Sequence, residues 1–543
     1  MKWFFSNFKI MTFLIKQVNN LNNCYIWLLF FAYSVLVSLF IQLIALPLIF
    51  PNLHIGNGLL DGGDWIVYQK YGVIMANVII DNGWENWYLR PEGFGIVGVV
   101  SAIYAFFGIF EPYILVPFFS VLHALGALCI LIITQSLGVS RSTAFFSCLP
   151  YLIFPSSLLW LSQILKDVFT LNASLIMLLG MVLFFGAIDK KSIKSQIISQ
   201  SIAIFLILTS LFLIFISRPY MIELSSIFIL IFEFILGIKL LTRIFQSNIS
   251  LINFAFCIFA QILILFLAFN INSIEKHFAA YSINQNEYHV YISKSDKEIK
   301  KIFLERNLPM QIIEEKAGKI INKKELALEI LKDIYKKPKS DESALRLIPS
   351  FNAESIKNYI PDLPTIEFET YESRKWQNSA FLPRVVDVQM SKVNDQRNYF
   401  YLHQYHANTT FDYDVEINSA IKFIRYLPRA VQVGYFAPFP TDWNSSKSNK
   451  ANLMHKVIAL EMIFIYLAFS GFIIALFIWR KKFEFWLLIA FSLFYSLFPV
   501  YAFPNIGALV RYRYAAIMII VALSLSAISY LYSSKIKSNH SYE

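Results

Sequence analysis

The sequence predicts an all-α polytopic membrane protein of about ten transmembrane helices, joined to one polar domain of mixed α/β character outside the bilayer. Of the 543 residues, 57% are hydrophobic and only 15% are charged, and the mean hydropathy is +0.54. A soluble protein carries about 25% charged residues. The apolar residues also form uninterrupted runs of about 20, the length that crosses a ~30 Å hydrocarbon core. One long polar stretch, 271–453, interrupts these runs.

Ten apolar runs are long enough to span the membrane, and the basic clusters between them set their orientation, because cytoplasmic loops are rich in Lys and Arg. Lysines near the N-terminus, and Lys535 and Lys537 near the C-terminus, place both termini in the cytoplasm. The polar domain then lies outside the cell (inner) membrane. The runs cover about 25–50, 113–137, 143–161, 167–188, 197–216, 221–241, 251–270, 454–479, 483–502 and 513–532.

A further apolar segment, 96–110, is short for a span. The basic loops at Arg141 and Lys190 reach the cytoplasmic side only if this segment does not cross. We therefore expect an interfacial helix within a first outer loop, 51–112. In the polar domain, 410–443 is expected to form strand or loop. The predicted organisation is an N-terminus (1–24), a transmembrane module (25–270), the extracytoplasmic domain (271–453), three C-terminal helices (454–532) and a cytoplasmic tail (533–543).

The distribution of charge and of cysteines, together with the absence of several motifs, argues against some classes of protein. The net charge of +11 sits largely in the short clusters that orient helices, so nucleic acid is not an expected partner. All cysteines lie in or beside apolar runs, which argues against a disulfide framework or a thiolate zinc site. No P-loop, GxSxG, HExxH or paired CxxC motif is present. The cysteines are Cys24, Cys129, Cys148 and Cys257.

The first outer loop contains two acidic candidates, Asp61 and Asp64, which bracket a glycine pair directly after the first predicted helix. An ionised carboxylate near the bilayer is costly, so such residues are candidates for function. The alternative is an ordinary solvated turn, because Asp and Gly are both turn formers.

Cationic candidates follow at other predicted outer turns. Lys166 and Asp167 separate two helices, and Arg218-Pro219-Tyr220 separates the next pair. The alternative readings are a helix N-cap by Asp167 with an interfacial Lys, and a proline turn with an anchoring Arg.

Arg511 and Arg513 lie at the outer end of the last helix, where topology does not favour positive charge. Guanidinium groups bind phosphate oxygens in a bidentate way, so the pair suits a lipid-linked phosphate. Ordinary lipid headgroups are the alternative ligand. Outward acids and cations together suit glycosyl transfer from a polyprenyl-phosphate sugar, in which a carboxylate activates the acceptor hydroxyl and cations stabilise the leaving phosphate.

This layout resembles the GT-C superfamily of membrane glycosyltransferases, which includes the protein O-mannosyltransferases and the aminoarabinose transferases. Asp64 and Tyr68 match that family's D-x3-Y spacing in the first outer loop, and Asp61 does not. Arg90-Pro91-Glu92-Gly93 leading to Phe106-Phe107-Gly108 resembles its interfacial segment. Pro155 and Asp167 resemble its motif before the fourth helix. The likeness covers about residues 25–270, where seven helices would equal the family module.

The resemblance implies an inverting transferase with Asp64 as the general base and Asp61 as the second choice. Lys166, Arg218, Arg511 and Arg513 would bind the lipid phosphate, and Tyr68, Glu92, Asp167 and Tyr220 would line the substrate pocket. The chain departs from the family's usual Asp-Glu pair, because Trp65 follows Asp64. The later segments 426–440 and 505–513 resemble membrane proteins of bacterial surface-polysaccharide synthesis.

The expected partners are a polyprenyl-phosphate-linked sugar, a glycan or lipid acceptor, and membrane lipids. No metal ligands are assigned, no cofactor is predicted, and assistance by a divalent cation stays open. Two other functions also stay open. One is an O-antigen polymerase or ligase, which would not need an acidic first loop. The other is a non-enzymatic glycan transporter or assembly scaffold, for which paired halves and intramembrane charge would be expected.

Overall fold

The computed structural model describes residues 17–190, 192–245, 254–259, 261–266, 374–404, 409–412, 414–443 and 449–539. Within these residues, eight helices are long and apolar enough to cross a membrane, or nine if one bent pair counts as a span. The protein is therefore an all-α multi-pass membrane protein. The eight candidate spans are Asn23–Ile49, Pro112–Ser136, Asp167–Ala187, Ile193–Ser217, Tyr220–Arg243, Lys456–Trp479, Phe483–Ala502 and Ile506–Leu531.

Fifteen helices of the described part carry the fold. In chain order they are α1 (Asn23–Phe40), α2 (Asp64–Asn82), α3 (Gly95–Phe107), α4 (Val116–Ser136), α5 (Arg141–Ile153), α6 (Pro155–Ser162), α7 (Asp167–Ala187), α8 (Ile193–Ser217), α9 (Tyr220–Phe245), α10 (Arg384–Gln404), α11 (Ala420–Arg425), α12 (Leu427–Phe436), α13 (Asn449–Trp479), α14 (Phe483–Ala502) and α15 (Ile506–Asn539). A π-helix, Ile41–Ile49, continues α1. The strands β1 (His54–Gly56) and β2 (Leu59–Leu60) pair antiparallel.

The count of spans differs from the ten expected. The predicted span 143–161 is two helices, α5 and α6, that meet at a 60° bend. The bend falls at Phe154-Pro155, where Phe154 adopts an extended conformation (φ −65°, ψ 136°) because a residue before proline disfavours the helical region. The predicted span 251–270 lies only partly in the described residues, which contain a short apolar helix at 254–266.

The loop after the first span folds as a helical hairpin of α2 and α3. Helix α3 has 13 residues and ends at Gly108 in the left-handed conformation (φ 65°). At 1.5 Å per residue it measures about 20 Å, which is short of a ~30 Å hydrocarbon core. It is therefore not among the candidate spans, in agreement with the charge-based expectation for 96–110. Gly95 packs so closely on α8 that a Cβ there would lie 1.8 Å from the Ile216 carbonyl oxygen.

The described part of the polar domain is helical, and no mixed α/β domain is seen there. The expectation of strand or loop for 410–443 is wrong for 420–425 and 427–436, where α11 and α12 lie. The Ser419 side chain caps the start of α11, and Pro428 occupies the first turn of α12, where a proline nitrogen needs no hydrogen bond. Residues 271–373 of the predicted domain lie outside the described residues.

Several inter-helix segments meet at one end of the helix bundle. The Gln163 side chain accepts from the Leu60 nitrogen and donates to the Gly58 carbonyl, which joins the α6–α7 turn to the β1–β2 ribbon. The Phe411 nitrogen donates to the Pro504 carbonyl at 3.1 Å and joins the polar segment to the α14–α15 turn. The turns that carry most of the candidate site residues are thereby brought together at this end.

Candidate functional site

A cluster of four charged side chains forms at this end of the bundle. Asp64 is the first residue of α2, and two residues before it Gly62 has a positive φ of 86°, which lets the chain turn into the helix. The Arg511 Nη1 of α15 lies 3.6 Å from the Asp64 Oδ2 and 3.5 Å from the Asp167 Oδ2. The Arg218 Nη2 donates to the Asp167 Oδ1 at 2.7 Å. Four predicted site residues therefore form one continuous ion-pair chain.

The chain runs from a buried end to an accessible end. Arg218 and Asp167 are 2% and 1% exposed, whereas Arg511 is 28% and Asp64 is 48% exposed. Burial alone would lower the pKa of Arg218, but the Asp167 carboxylate together with Tyr512, Tyr220 and Tyr68 raises that pKa above its usual value. The Arg218 guanidinium also lies 4.2 Å from the centroid of the Tyr512 ring. The Asp167–Arg218 pair is therefore the buried part of the cluster, and the Asp64–Arg511 pair is the part that a ligand can contact.

Lys166 adds a third cation beside this chain. Its side chain is mostly buried, and burial, followed by the nearby Arg218, lowers its pKa to about 8, although Asp167 and Asp64 oppose the shift. Within the described residues its ammonium group makes no ion pair. With Arg218 and Arg511 it brings three cations against two carboxylates, so the cluster carries an excess of one positive charge. Such an excess favours an anionic ligand.

Tyrosines surround the cluster. Tyr68 is buried one turn after Asp64, and burial, followed by the Asp64 carboxylate, raises its pKa. The hydroxyls of Tyr220 and Tyr512 are in hydrogen-bond contact, and the Tyr512 ring stacks on Phe503 with centroids 4.7 Å apart. Tyr512 was not predicted as a site residue. Its place in the RYRY sequence beside Arg511 was the available signal.

The accessible end of the cluster opens into a cavity of about 1150 Å³. Asp64, Asp61 and Arg511 line it on the side of the cluster. Apolar side chains line much of the rest, and they come from the first span, α6, α13 and α15. These apolar residues include Ile41, Leu46, Leu158, Leu159, Val457, Ile458 and Val510. The cavity therefore joins a charged centre to an apolar wall, as a site for an amphipathic ligand requires.

A further wall of the cavity was missed by sequence reasoning. It comes from residues 409–412 and 429–443, where Asp412 and Arg429 form a bidentate pair with both N–O distances at 2.9 Å. Although burial would raise it, hydrogen bonds from Arg429 and Tyr426 lower the pKa of Asp412. The aromatic side chains of Phe439 and Trp443 also belong to this wall. The aromatic spacing of the sequence PFPTDW was the only signal for it.

Of the predicted site residues, Asp61, Asp64 and Arg511 line the cavity, whereas Lys166, Asp167, Arg218, Tyr68 and Tyr220 lie in or beside the cluster behind it. The remaining two are placed elsewhere or are not described. The buried Arg513 guanidinium donates to the carbonyls of Val433, Gly434 and Ala437, so it caps the end of α12 and does not line the cavity. The side chain of Glu92 lies outside the described residues. Among the residues that are described, no group of three or more His, Cys, Asp or Glu side chains is arranged to hold a metal ion.

The arrangement has two chemical capacities. A half-exposed carboxylate on the cavity wall can accept a proton from a bound hydroxyl, and the adjoining guanidinium can hold an anion beside it. Comparison of the chain with protein-family models, with curated proteins and with solved structures finds no match.

Proposed function

We propose that this protein is a membrane glycosyltransferase of GT-C type, which moves a sugar from a polyprenyl-phosphate donor to a glycan or lipid acceptor at the outer face of the membrane. The observation that carries the proposal is the Asp64–Arg511 pair, 3.6 Å apart on the wall of a cavity with a large apolar lining. A transferase of this kind needs a base for the acceptor beside a cation for the leaving phosphate. Both stand there together.

In the proposed reaction, the acceptor hydroxyl oxygen attacks C1 of the donor sugar. The bond from C1 to the phosphate oxygen breaks on the opposite face, which inverts the anomeric centre. The hydroxyl proton passes to the Asp64 carboxylate, and the polyprenyl phosphate leaves with the bonding electron pair. Arg511 and Lys166 stabilise the charge that develops on that phosphate. No cofactor is needed for the atoms and electrons to balance.

The buried residues of the cluster have a supporting role in this proposal. Arg218 is 2% exposed and bonds Asp167, which in turn lies 3.5 Å from the Arg511 guanidinium. Arg218 is therefore proposed to position Asp167, and Asp167 to position Arg511, whereas Arg511 touches the phosphate. The apolar lining at Ile41, Leu46 and Val457 suits the polyprenyl chain.

The experiment compares surface glycans of a strain that lacks the gene with those of the same strain carrying wild-type protein, Asp64→Asn or Asp61→Asn. Mass spectrometry of the released glycans should show one missing sugar in the deletion strain, its return with wild-type protein, and its continued absence with Asp64→Asn. Return of the sugar with Asp64→Asn and not with Asp61→Asn would move the base to Asp61.

The matched control is Asp81→Asn, an exposed acid at the far end of the same helix α2 and outside the cavity lining. It should restore the sugar fully. An unchanged glycan profile in the deletion strain would contradict the enzymatic proposal and favour a scaffold. Full restoration by both Asp64→Asn and Asp61→Asn would favour a polymerase or ligase without an acidic base.

A further inference from the structure

We infer that the loop Ala437–Trp443 forms a subsite for an uncharged sugar ring of the acceptor. The subsite is made by Phe439, Asp442 and Trp443, which line the cavity on a wall supplied by the polar segment after α12. The inference rests on the proposed function only in assigning this sugar to the acceptor. Binding of the sugar itself can be measured without any transfer reaction.

The aromatic side chains of this loop are held in fixed positions. The Trp443 Nε1 donates to the Pro438 carbonyl at 3.1 Å, and its ring lies near-parallel to Tyr466 with centroids 6.4 Å apart. The Tyr466 hydroxyl in turn donates to the Phe436 carbonyl at 2.5 Å. A ring fixed by its neighbours loses little entropy on binding, so Trp443 is preorganised as a platform.

Arg513 fixes the base of the same loop. Its guanidinium is 3% exposed and donates to the Val433 carbonyl at 2.9 Å and the Gly434 carbonyl at 2.6 Å, with a third bond to Ala437. Three carbonyls at the end of α12 are thereby satisfied by one side chain from α15. The buried Arg513 guanidinium thus fixes the start of the loop, just before the residues Phe439 and Trp443 that line the cavity.

Aromatic faces and a carboxylate are the side chains that suit a carbohydrate. The face of an aromatic ring carries partial negative charge, which attracts the weakly positive C–H groups on one side of a sugar ring. The Asp442 carboxylate already accepts from the Phe439 nitrogen at 2.8 Å, which fixes its orientation in the loop. Carboxylate oxygens accept several hydrogen bonds and can take a further one from a sugar hydroxyl.

Charge selects an uncharged sugar over an acidic one. The cation of this wall, Arg429, is engaged by Asp412 in a bidentate pair, and Asp442 adds a negative charge. Across the cavity, Asp61 and Asp64 outnumber Arg511. A uronic acid or a phosphorylated sugar at the loop would therefore meet net negative charge, whereas the excess positive charge lies in the buried cluster. The donor phosphate belongs at the cluster and a neutral sugar at the loop.

The experiment measures glycan binding to the purified full-length protein in detergent. The probes are fluorescently labelled oligosaccharides of three kinds: neutral hexoses, neutral N-acetylhexosamines, and chains containing uronic acid. We expect at least one neutral probe to bind, with affinity reduced about tenfold by Trp443→Ala and largely retained in Trp443→Phe. Trp84→Ala, an exposed tryptophan outside the cavity lining, should leave affinity unchanged.

Asp64→Asn separates this inference from the proposed function, because it should abolish transfer and leave neutral-probe affinity within about twofold of wild type. If Asp64→Asn retained transfer while neutral probes still bound in a Trp443-dependent way, the catalytic proposal alone would be overturned. Binding of no neutral probe, preference for the uronic acid probes, or neutral binding unaffected by Trp443→Ala would overturn the subsite. A thermal melt of each variant identifies loss of binding that comes from unfolding.

Discussion

Arg511 of the last helix lies 3.6 Å from the carboxylate of Asp64, the first residue of α2. The pair is partly exposed, and an exposed ion pair contributes about 0–1 kcal/mol to stability. The contact therefore does little to hold the fold, although it joins two distant parts of the chain. Its importance is chemical, because it sets a cation and a candidate base side by side on the wall of the cavity.

Arg511 and Arg513 are expected to differ in what they contribute. Replacement of Arg513 by Gln removes its hydrogen bonds to the Gly434 and Ala437 carbonyls in a buried site and should lower the free energy of unfolding by about 3 kcal/mol. Arg511→Gln removes a side chain that is 28% exposed, so it should cost less stability than Arg513→Gln, and it should lower the transfer rate about 100-fold. Unfolding in denaturant and a transfer assay separate the two effects. Equal loss of stability in both variants would contradict this assignment.

The buried ion pair of Asp167 and Arg218 predicts that each single variant loses much more stability than the double variant does. Asp167→Asn leaves the buried Arg218 guanidinium without its carboxylate, and Arg218→Met leaves the buried Asp167 carboxylate with only the Arg511 contact at 3.5 Å, so each should cost about 3–5 kcal/mol of stability. The double variant Asp167→Leu/Arg218→Met removes both charges and should recover most of that loss. Thermal unfolding in detergent tests the stability part.

The double variant should nevertheless stay inactive, because Asp167 also lies 3.5 Å from the Arg511 guanidinium and fixes its position. Recovery of both stability and transfer would show that the pair is only structural. Additive loss of stability in the double variant would contradict the buried ion pair itself.

The lowered pKa of Lys166 predicts that kcat/KM for the donor depends on pH. Its ammonium is the charged form below a pKa of about 8, so attraction for the donor phosphate is present below that pH and lost above it. The specificity constant kcat/KM for the donor, which reports the free enzyme, should therefore fall as pH rises through about 8. Lys166→Arg keeps its charge at this pH and should remove the fall. The same decline in wild type and Lys166→Arg would show that another group titrates.

Sequence periodicity and charge predicted the class of fold well because each depends on local composition. The first loop illustrates this: basic clusters elsewhere argued against a span at 96–110, and α3, at 13 residues, is shorter than the candidate spans. The break at Phe154-Pro155 was harder to foresee, because the residues around it are apolar throughout and a run of apolar residues does not reveal a 60° bend. The helices α11 and α12 were missed because they are only 6 and 10 residues long, and because Pro428 and Gly434 in α12 are residues more typical of turns.

The candidate site was predictable in its members and not in their roles. Asp64 was singled out from its place in the first outer loop, and Asp167, Arg218 and Arg511 from their positions at predicted helix ends. The fold brings all four together. Sequence position could not distinguish Arg511 from Arg513, since both lie near the same end of α15. The two side chains have different neighbours, and those of Arg513 come from the segment 409–443. Such packing is a tertiary property, which sequence position does not reveal.

The most direct test of the central claim is the transfer rate of Asp64→Asn in reconstituted membranes, with a polyprenyl-phosphate sugar identified from the glycan lost in the deletion strain. The substitution preserves size and removes the ability to accept a proton. If Asp64 is the general base, kcat should fall about 10²–10⁴-fold, with donor affinity within a few-fold of wild type and Asp81→Asn unchanged. A kcat within about threefold of wild type would contradict the account.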